Sequence, residues 1–536
     1  MSLLIRYKNH VLFQLLVLIT GFKILQLFFL FFFYTGFETG FSNFHLGSLS
    51  FTTSPFHSFS ICLSALVHPV VLISLLLVYG ILFFPKKTAV RLTYHSAAER
   101  MLVCAAVWLL AWELTTTDYN FYLDSAFFLD RFLLLGLAVL VWRFPILVPL
   151  FTAFAFMYRS QFNYPIGGFS LADKRILFDI LILYTTCSIL KKHMVLPART
   201  FLFLAFCLVA SYYIGSGINK MIISPHGHEW VTQNNLNDFF FNAHARGWMA
   251  GLPDSSLKGI YSFLESYGVA IQLVVLLIEI AALFLLWKRK MAITLLLLCM
   301  CLHIGIFLGG SMLFWKWIAI DLVLIFILLK YKEEIRDFFS KTLFRYSLLV
   351  VLSSALWLRP SAIGWHDTPL NQFFTYEVVD EQNKTYAFSK NSFAPYDAFF
   401  QTDVFYYLIK NKLIPISGFG YTGHYTLAHA IKQKGKNGLP EIENKYGQVR
   451  YHAKKREAFI RFIRTFFRNK NKNPGHVLFF NLLGPPHHLN NGVYGVPFCG
   501  NTRVKKVKVY FNQTWRNRSK IIRLKTELCE EIDIPI

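Results

Sequence analysis

The sequence predicts a polytopic α-helical membrane protein with about 9–11 transmembrane helices and a small C-terminal extramembrane domain, mixed α/β or β-rich. Three observations predict it. Only 16% of the 536 residues are charged, where a soluble chain carries about a quarter. Apolar runs of roughly membrane-spanning length recur throughout residues 1–358. Over 359–536 the pattern changes to short or alternating apolar runs separated by turn-rich stretches.

The apolar runs fall at 11–33, 59–84, 101–117, 125–141, 144–158, 175–190, 199–218, 269–287, 291–309, 313–329 and 344–358. The first follows Arg6 and Lys8, but it is too long for a signal peptide and no small-residue cleavage site follows it. Segment 144–158 is short enough to pair with 125–141 as one broken or tilted element. Basic clusters at Lys86–Lys87, Lys191–Lys192, Lys288–Lys290 and Lys330–Lys332 fall on one side, which the positive-inside rule assigns to the cytoplasm. The segment 220–268 and the C-terminal domain then face outward, as expected of a bacterial inner-membrane protein.

The net charge of +24 is explained by helix-flanking loops and a basic tail beside anionic lipid, rather than by a nucleic-acid partner. Six of the eight cysteines lie in or beside apolar runs, and only Cys499 and Cys529 lie in the tail. In that tail, FFTYEVV, VLFFN and VKKVKVYF read as strands, and FYYLIKN and EAFIRFIRTFF as amphipathic helices. The basic face of the second helix suits either a membrane surface or water over a small core. Asn383, Asn512 and Asn517 each begin an Asn-x-Ser/Thr triplet.

The stretch 211–248, SYYIGSGINKMIISPHGHEWVTQNNLNDFFFNAHARGW, is where chemistry is expected. Lys220 ends an apolar run. It either snorkels to the headgroups or, desolvated, acts as a base near neutral pH. Gly215 and Gly217 permit close helix contact beside it. His226, His228 and Glu229 resemble a metal triad, but they follow Pro225 and lack the i, i+4 spacing of a metallopeptidase helix. His244 and Arg246 follow an aromatic cluster and can face the same cavity. His303, Glu279, Asp321 and Asp179 sit inside apolar runs, where each requires a partner or a cavity. Tyr164, in the loop with Asn163, Gly167 and Gly168, is either a hydrogen-bond donor to an oxyanion or carbonyl or an interfacial aromatic. His487 and His488 form a loop pair in the tail.

The order YYIGSGINKM, Trp230, an aromatic loop, IEIAALFLLW and then LHIGIFLGGSMLFWKWIAID resembles the vitamin K-dependent gamma-carboxylase family and its bacterial horizontally transferred transmembrane domain relatives. Tyr213, Gly217 and Lys220 match that family's lysine helix, Trp230 the tryptophan after it, and His303 with Phe307 a later membrane segment. The stretch 158–169 has Asn163 and Tyr164 without the histidine found there in the family. The resemblance implies a membrane carboxylase coupled to quinol epoxidation. Lys220 would deprotonate reduced vitamin K or another menaquinol-type quinol, with O2 and CO2 as co-substrates and a glutamate-containing peptide or protein as acceptor. Lys220 and His303 would be catalytic, and Tyr164, Gly217, Trp230 and His244 would bind the quinol; no metal is implied. Two other readings of the residues are a non-enzymatic membrane scaffold with a docking tail and a transporter with helices broken at the midplane.

Overall fold

The computed structural model describes residues 11–35, 69–83, 94–116, 129–160, 175–191, 199–358, 363–394, 396–472, 474, 484 and 495–535. Among the described residues, each apolar run read from the sequence falls on a helix. These are α1 (Val11–Phe29, continued by a π-helical turn Leu30–Thr35), α2 (Pro69–Phe83), α3 (Ala97–Thr116), α4 (Leu129–Arg143), α5 (Val148–Ser160), α6 (Arg175–Leu190) and α7 (Thr200–Ile222). After the short helix α8 (Leu236–His244) come α9 (Asp254–Ala281), α10 (Arg289–Gly310), α11 (Trp315–Lys330) and α12 (Lys341–Leu352).

Among the described residues, four helical segments are long and apolar enough to cross a membrane: Val11–Phe33, Thr200–Ile222, Asp254–Phe284 and Arg289–Gly310. The other seven apolar helices run from 12 to 20 residues. The short run at 144–158 is a separate helix, α5, because Pro145 breaks the chain after α4. In α7, 89% of the apolar window is buried, against 28–33% in the other three long helices. That makes α7 the centre of the bundle, packed by α3, α6, α9 and α12, while α9 and α10 turn apolar side chains such as Leu273, Leu277, Leu297 and Leu308 outward.

The segment after Lys220, read as a loop, is largely helical. Asn235 caps α8 by accepting from the Asn237 amide at 2.9 Å. The Phe239 ring lies where a Cβ on Gly309 or Gly310 would sit, so this glycine pair lets α8 dock on the end of α10. Trp248 Nε1 secures the same contact by donating to the Leu308 carbonyl at 2.9 Å.

Beyond 363 the chain builds an antiparallel four-stranded sheet. Its long strands are β2 (Leu370–Asp380), β7 (Val504–Asn517) and β8 (Lys520–Asp533), with β3 (Thr385–Phe388) outside β2, in the order β3-β2-β7-β8. Two short two-residue pairs join β1 (His366–Asp367) with β5 (Tyr421–Thr422), and β4 (Lys412–Leu413) with β6 (Gln448–Val449). Helices α13 (Tyr425–Lys434), α14 (Leu439–Tyr446) and α15 (Ala453–Lys472) complete the region. In α15, Phe459, Phe462, Ile463, Phe466 and Phe467 are buried against rings such as Phe388, Phe393 and Phe405. Its apolar face is therefore used by the domain's own core, and Arg461 and Arg464 face water.

One sequence expectation fails in this region, and one strand lies beyond what the sequence pattern singles out. FYYLIKN is a single 3-10 turn (Tyr406–Leu408) leading into β4, because Phe405 and Tyr406 insert into the core on both sides of a short connection. The long strand β8 follows the two-residue turn at Arg518–Ser519, where Arg518 has φ 56°, and its alternating KIIRLKTELCEEID was not read as a strand. VLFFN and the His487–His488 pair lie outside the described residues. Asn512 is buried in β7, hydrogen-bonded to Thr375 and Thr526, so its triplet is closed to modification. Cys499 and Cys529 are both free thiols.

Candidate functional site

Tyr213, Gly217 and Lys220 follow the i, i+4, i+7 spacing that puts three side chains on one face of α7. That face meets α9 and α10. A Cβ on Gly217 would come within 3.3 Å of both Glu279 Cβ and Ile280 Cγ1, so glycine is what lets α9 approach this closely. One turn on, Lys220 Nζ lies 2.5 Å from Glu279 Oε1, with both side chains buried. The indole of Trp230 covers the ammonium at 5.2 Å. Trp230 is itself held by donation from Nε1 to the Trp365 carbonyl at 3.0 Å, and its own carbonyl accepts from Gln272 at 3.3 Å. Lys220 therefore does not snorkel. It is folded back into the bundle under a lid made of Trp230 and the 363–367 segment.

Two turns deeper, Tyr213 links two other helices. Its hydroxyl donates to Asp321 Oδ2 on α11 at 2.6 Å and lies 3.0 Å from His303 Nε2 on α10. With the tyrosine proton committed to Asp321, the phenol oxygen accepts from His303 Nε2–H, leaving Nδ1 as the bare nitrogen of a neutral imidazole. The rings of Phe314 and Trp317 pack around His303 at 5.4 and 6.0 Å. The neighbouring Tyr212 points the other way and donates to Asp179 at 2.5 Å, with Gln26 donating to the same carboxylate at 2.7 Å. Consecutive tyrosines on the central helix thus satisfy carboxylates on two different sides of it.

Around Lys220 and Tyr213, Glu279 Oε2, His303 Nδ1 and Asp321 Oδ1 are buried without a hydrogen-bond partner, as is Gln272 Oε1 beside Trp230. An orphaned acceptor in an apolar interior costs about 1–3 kcal/mol. Each of these atoms is an acceptor for a hydroxyl proton.

At the water side the lid is built from polar pairs. His366 Nε2 lies 3.1 Å from Ser224 Oγ, and Asn234 both accepts from the Asp367 amide at 2.7 Å and donates to its carboxylate at 3.0 Å. Burial pushes the Asp367 carboxyl up to about 7, and burial with the field of Lys432 pulls His366 down to about 4. The C-terminal region and the Lys220 end of α7 share one side of the bundle.

Other expected site residues lie elsewhere. His244 packs on Phe240 and lies 3.5 Å from the Tyr261 hydroxyl, with no contact to Lys220, Trp230 or His303 among the described residues. Arg246 is buried in the domain junction. Tyr164 lies outside the described residues. His226 and His228 are exposed, and Glu229 turns in to accept from the His226 amide at 3.1 Å, closing the loop on itself. Among the described residues, no group of three His, Cys, Asp or Glu side chains converges on a metal-sized centre. The partnership of Lys220 with Glu279 was not read from the sequence. Its signal was the lone acid in IEIAALFLLW, which needed a cation at its own depth.

No family model, curated protein or solved structure matches the chain.

Proposed function

We propose that the chain is a quinol-oxidising membrane enzyme of the gamma-carboxylase type, with the Lys220–Glu279 pair as its base. The observation that carries this reading is a lysine amine withdrawn from water at the end of a spanning helix and held against a carboxylate whose second oxygen is unpartnered. In the overall reaction, the quinol yields four electrons to O2, one oxygen becoming the ring epoxide and the other water, while a glutamate γ-carbon loses a proton and bonds to CO2.

The residues suit a quinol head. Glu279 Oε2 and His303 Nδ1 are acceptors for its hydroxyls. Both lie on peripheral helices whose outward leucines open toward lipid, where an isoprenoid tail belongs. The pair works as a unit: Glu279 draws the proton from Lys220, leaving a neutral amine able to take the next one. Trp230, the Gly217–Ile280 contact and the 363–367 segment keep water away from the base. His303, fixed in one tautomer by Tyr213 and Asp321, orients the second hydroxyl. The acceptor is a glutamate-containing peptide met on the side of the C-terminal domain, extracytoplasmic in a bacterial inner membrane.

The test is epoxide formation by the full-length protein in lipid nanodiscs with reduced vitamin K or menaquinol, O2, bicarbonate and a glutamate-containing peptide. Lys220→Ala is expected to lower output by about 100-fold or more, and unchanged output removes the base assignment. Wild-type protein giving no epoxide, together with Lys220 and His303 variants that fold and assemble normally, favours the scaffold reading instead.

A further inference from the structure

A second recessed site lies between the first turns of α9, the start of α8 and the β7–β8 turn. It is a cleft of about 740 Å³, lined by Lys258, Tyr261, Ser262 and Glu265 of α9 and by Lys432, Arg516 and Arg518 from the C-terminal domain. Its charge is predominantly positive. Four cations line it against two acids, and one of those acids, Asp238, is already held by Arg516 at 2.6 Å. Lys258 and Arg518 have no carboxylate partner among the described residues, and both are exposed. The hydroxyls of Tyr261, Ser262 and Ser519 and the amides of Gln233 and Asn235 add neutral donors to the same wall. A cleft of this make-up is complementary to a phosphate group.

Helix length sets its depth in the membrane. The segment Asp254–Phe284 has 31 residues, about 46 Å of helix, against roughly 30 Å of hydrocarbon. Trp287, Lys288 and Arg289 mark the far interface directly after it, so the excess of roughly ten residues projects from the Asp254 end. Outward-facing apolar side chains begin at Phe263 and Tyr267, 54% and 56% exposed. Lys258, Tyr261, Ser262 and Glu265, which occupy one helical face at i, i+3, i+4 and i+7, therefore lie in the headgroup layer.

We propose that this cleft binds the headgroup of an anionic phospholipid, tying the C-terminal domain to the membrane beside α9. The lipid phosphate sits among Lys258, Lys432 and Arg518, and its acyl chains run down the exposed Phe263–Tyr267 side of the helix. The Arg516–Asp238 pair forms the back wall and fixes the β7–β8 turn over the lipid. This site is independent of the quinol reading, since none of its residues touches Lys220, Glu279 or His303.

The experiment compares the full-length protein with the Lys258→Gln/Arg518→Asn double variant in nanodiscs of phosphatidylcholine with or without phosphatidylglycerol. Asparagine suits the left-handed backbone at 518, and both side chains are exposed, so the fold is expected to be retained. Native mass spectrometry is expected to show one phosphatidylglycerol retained by the wild type in preference to phosphatidylcholine. The double variant should bind it about tenfold more weakly with an unchanged thermal midpoint in pure phosphatidylcholine. Equal phosphatidylglycerol retention by the two proteins overturns the proposal. So does displacement of the lipid by millimolar inorganic phosphate, which would make this a free-anion site, or by a glutamate-rich peptide, which would make it a peptide site.

Discussion

Two regions of this molecule bury charge, and they do so in opposite ways. At the junction of bundle and C-terminal domain, Asp403 is fully buried and fully used. Its carboxylate takes Lys390 at 2.5 Å and the Phe374 amide at 3.0 Å, with Arg246 at 3.7 Å. Arg246 in turn donates to the Asn242 and Gln401 carbonyls and stacks on Phe419 at 3.9 Å. Burial still draws the Lys390 amine down to about 8 in spite of its partner. Neither Asp403 nor Arg246 has a buried atom left over. At the Lys220 end of α7, by contrast, Glu279, His303 and Asp321 each keep one buried atom without a partner. Complete satisfaction fixes a structure. Incomplete satisfaction leaves buried acceptors that the fold itself does not use.

The sharpest way to break this contrast is at the junction. Asp403→Ala strands two buried cations and is expected to cost about 3–5 kcal/mol, read as a lowered thermal midpoint of the detergent-solubilised protein. A change within 1 kcal/mol would put the junction in the same class as the lysine site.

The lid lies between these extremes, and pH reads it out. The Asp367 carboxyl sits at about 7 folded against 3.8 ordinarily, so the folded protein keeps a proton that the unfolded chain releases. Stability from this group therefore falls as pH rises from about 4 to 7. His366, at about 4 against 6.5, acts with the opposite sign: the unfolded chain takes up the proton first, and stability falls as pH drops below 6.5. The two slopes oppose each other, with His366 still contributing until the unfolded imidazole has lost its proton at about pH 7.5. Between pH 6.5 and 8 the Asp367 contribution dominates, so wild-type stability should fall by about 0.4 kcal/mol, whereas Asp367→Asn should rise by a similar amount. Parallel profiles for the two proteins would remove Asp367 as the source.

Much of the bundle was legible because lipid and core impose the same demand. A run such as VLFQLLVLITGFKILQLFF has one outcome, and each apolar run among the described residues became a helix. The intramembrane acids were legible as residues in need of partners, and Asp179, Asp321 and Glu279 all have them. Which partner each takes was not legible. That depends on the rotation of α7, which sends Tyr212 one way and Tyr213 the other. The helical character of 229–248 was also hidden, because its polar residues are matched by groups far away in sequence, Asn242 with Gly420 and Asp238 with Arg516. His244 was expected near Lys220 from proximity in sequence, and the turn of α8 carries it instead to Tyr261.

The contrast also predicts that the Lys220–Glu279 pair is dispensable for folding. Replacing both members, Lys220→Met with Glu279→Leu, removes the buried charges together and should change stability by less than about 1 kcal/mol, or raise it. Equilibrium unfolding in detergent measures this. A loss approaching that of Asp403→Ala would mean that the pair is structural cement after all.

The smallest effect tests geometry rather than charge. Gly217→Ala places a methyl 3.3 Å from Glu279 Cβ and Ile280 Cγ1, so α9 must yield by a few tenths of an ångström. Alanine's better helix propensity, about 1 kcal/mol, offsets the crowding, and net stability should stay within about 0.5 kcal/mol. The carboxylate cannot shift without lengthening its 2.5 Å contact to Lys220. Under the proposed function, quinol turnover should therefore fall several-fold while the protein remains as stable as before. Gly259→Ala on α9 is the control, because a Cβ there meets nothing within 4 Å and should leave turnover unchanged. If Gly217→Ala behaves like Gly259→Ala in both assays, the close approach of α7 and α9 serves packing alone, and the base does not depend on it.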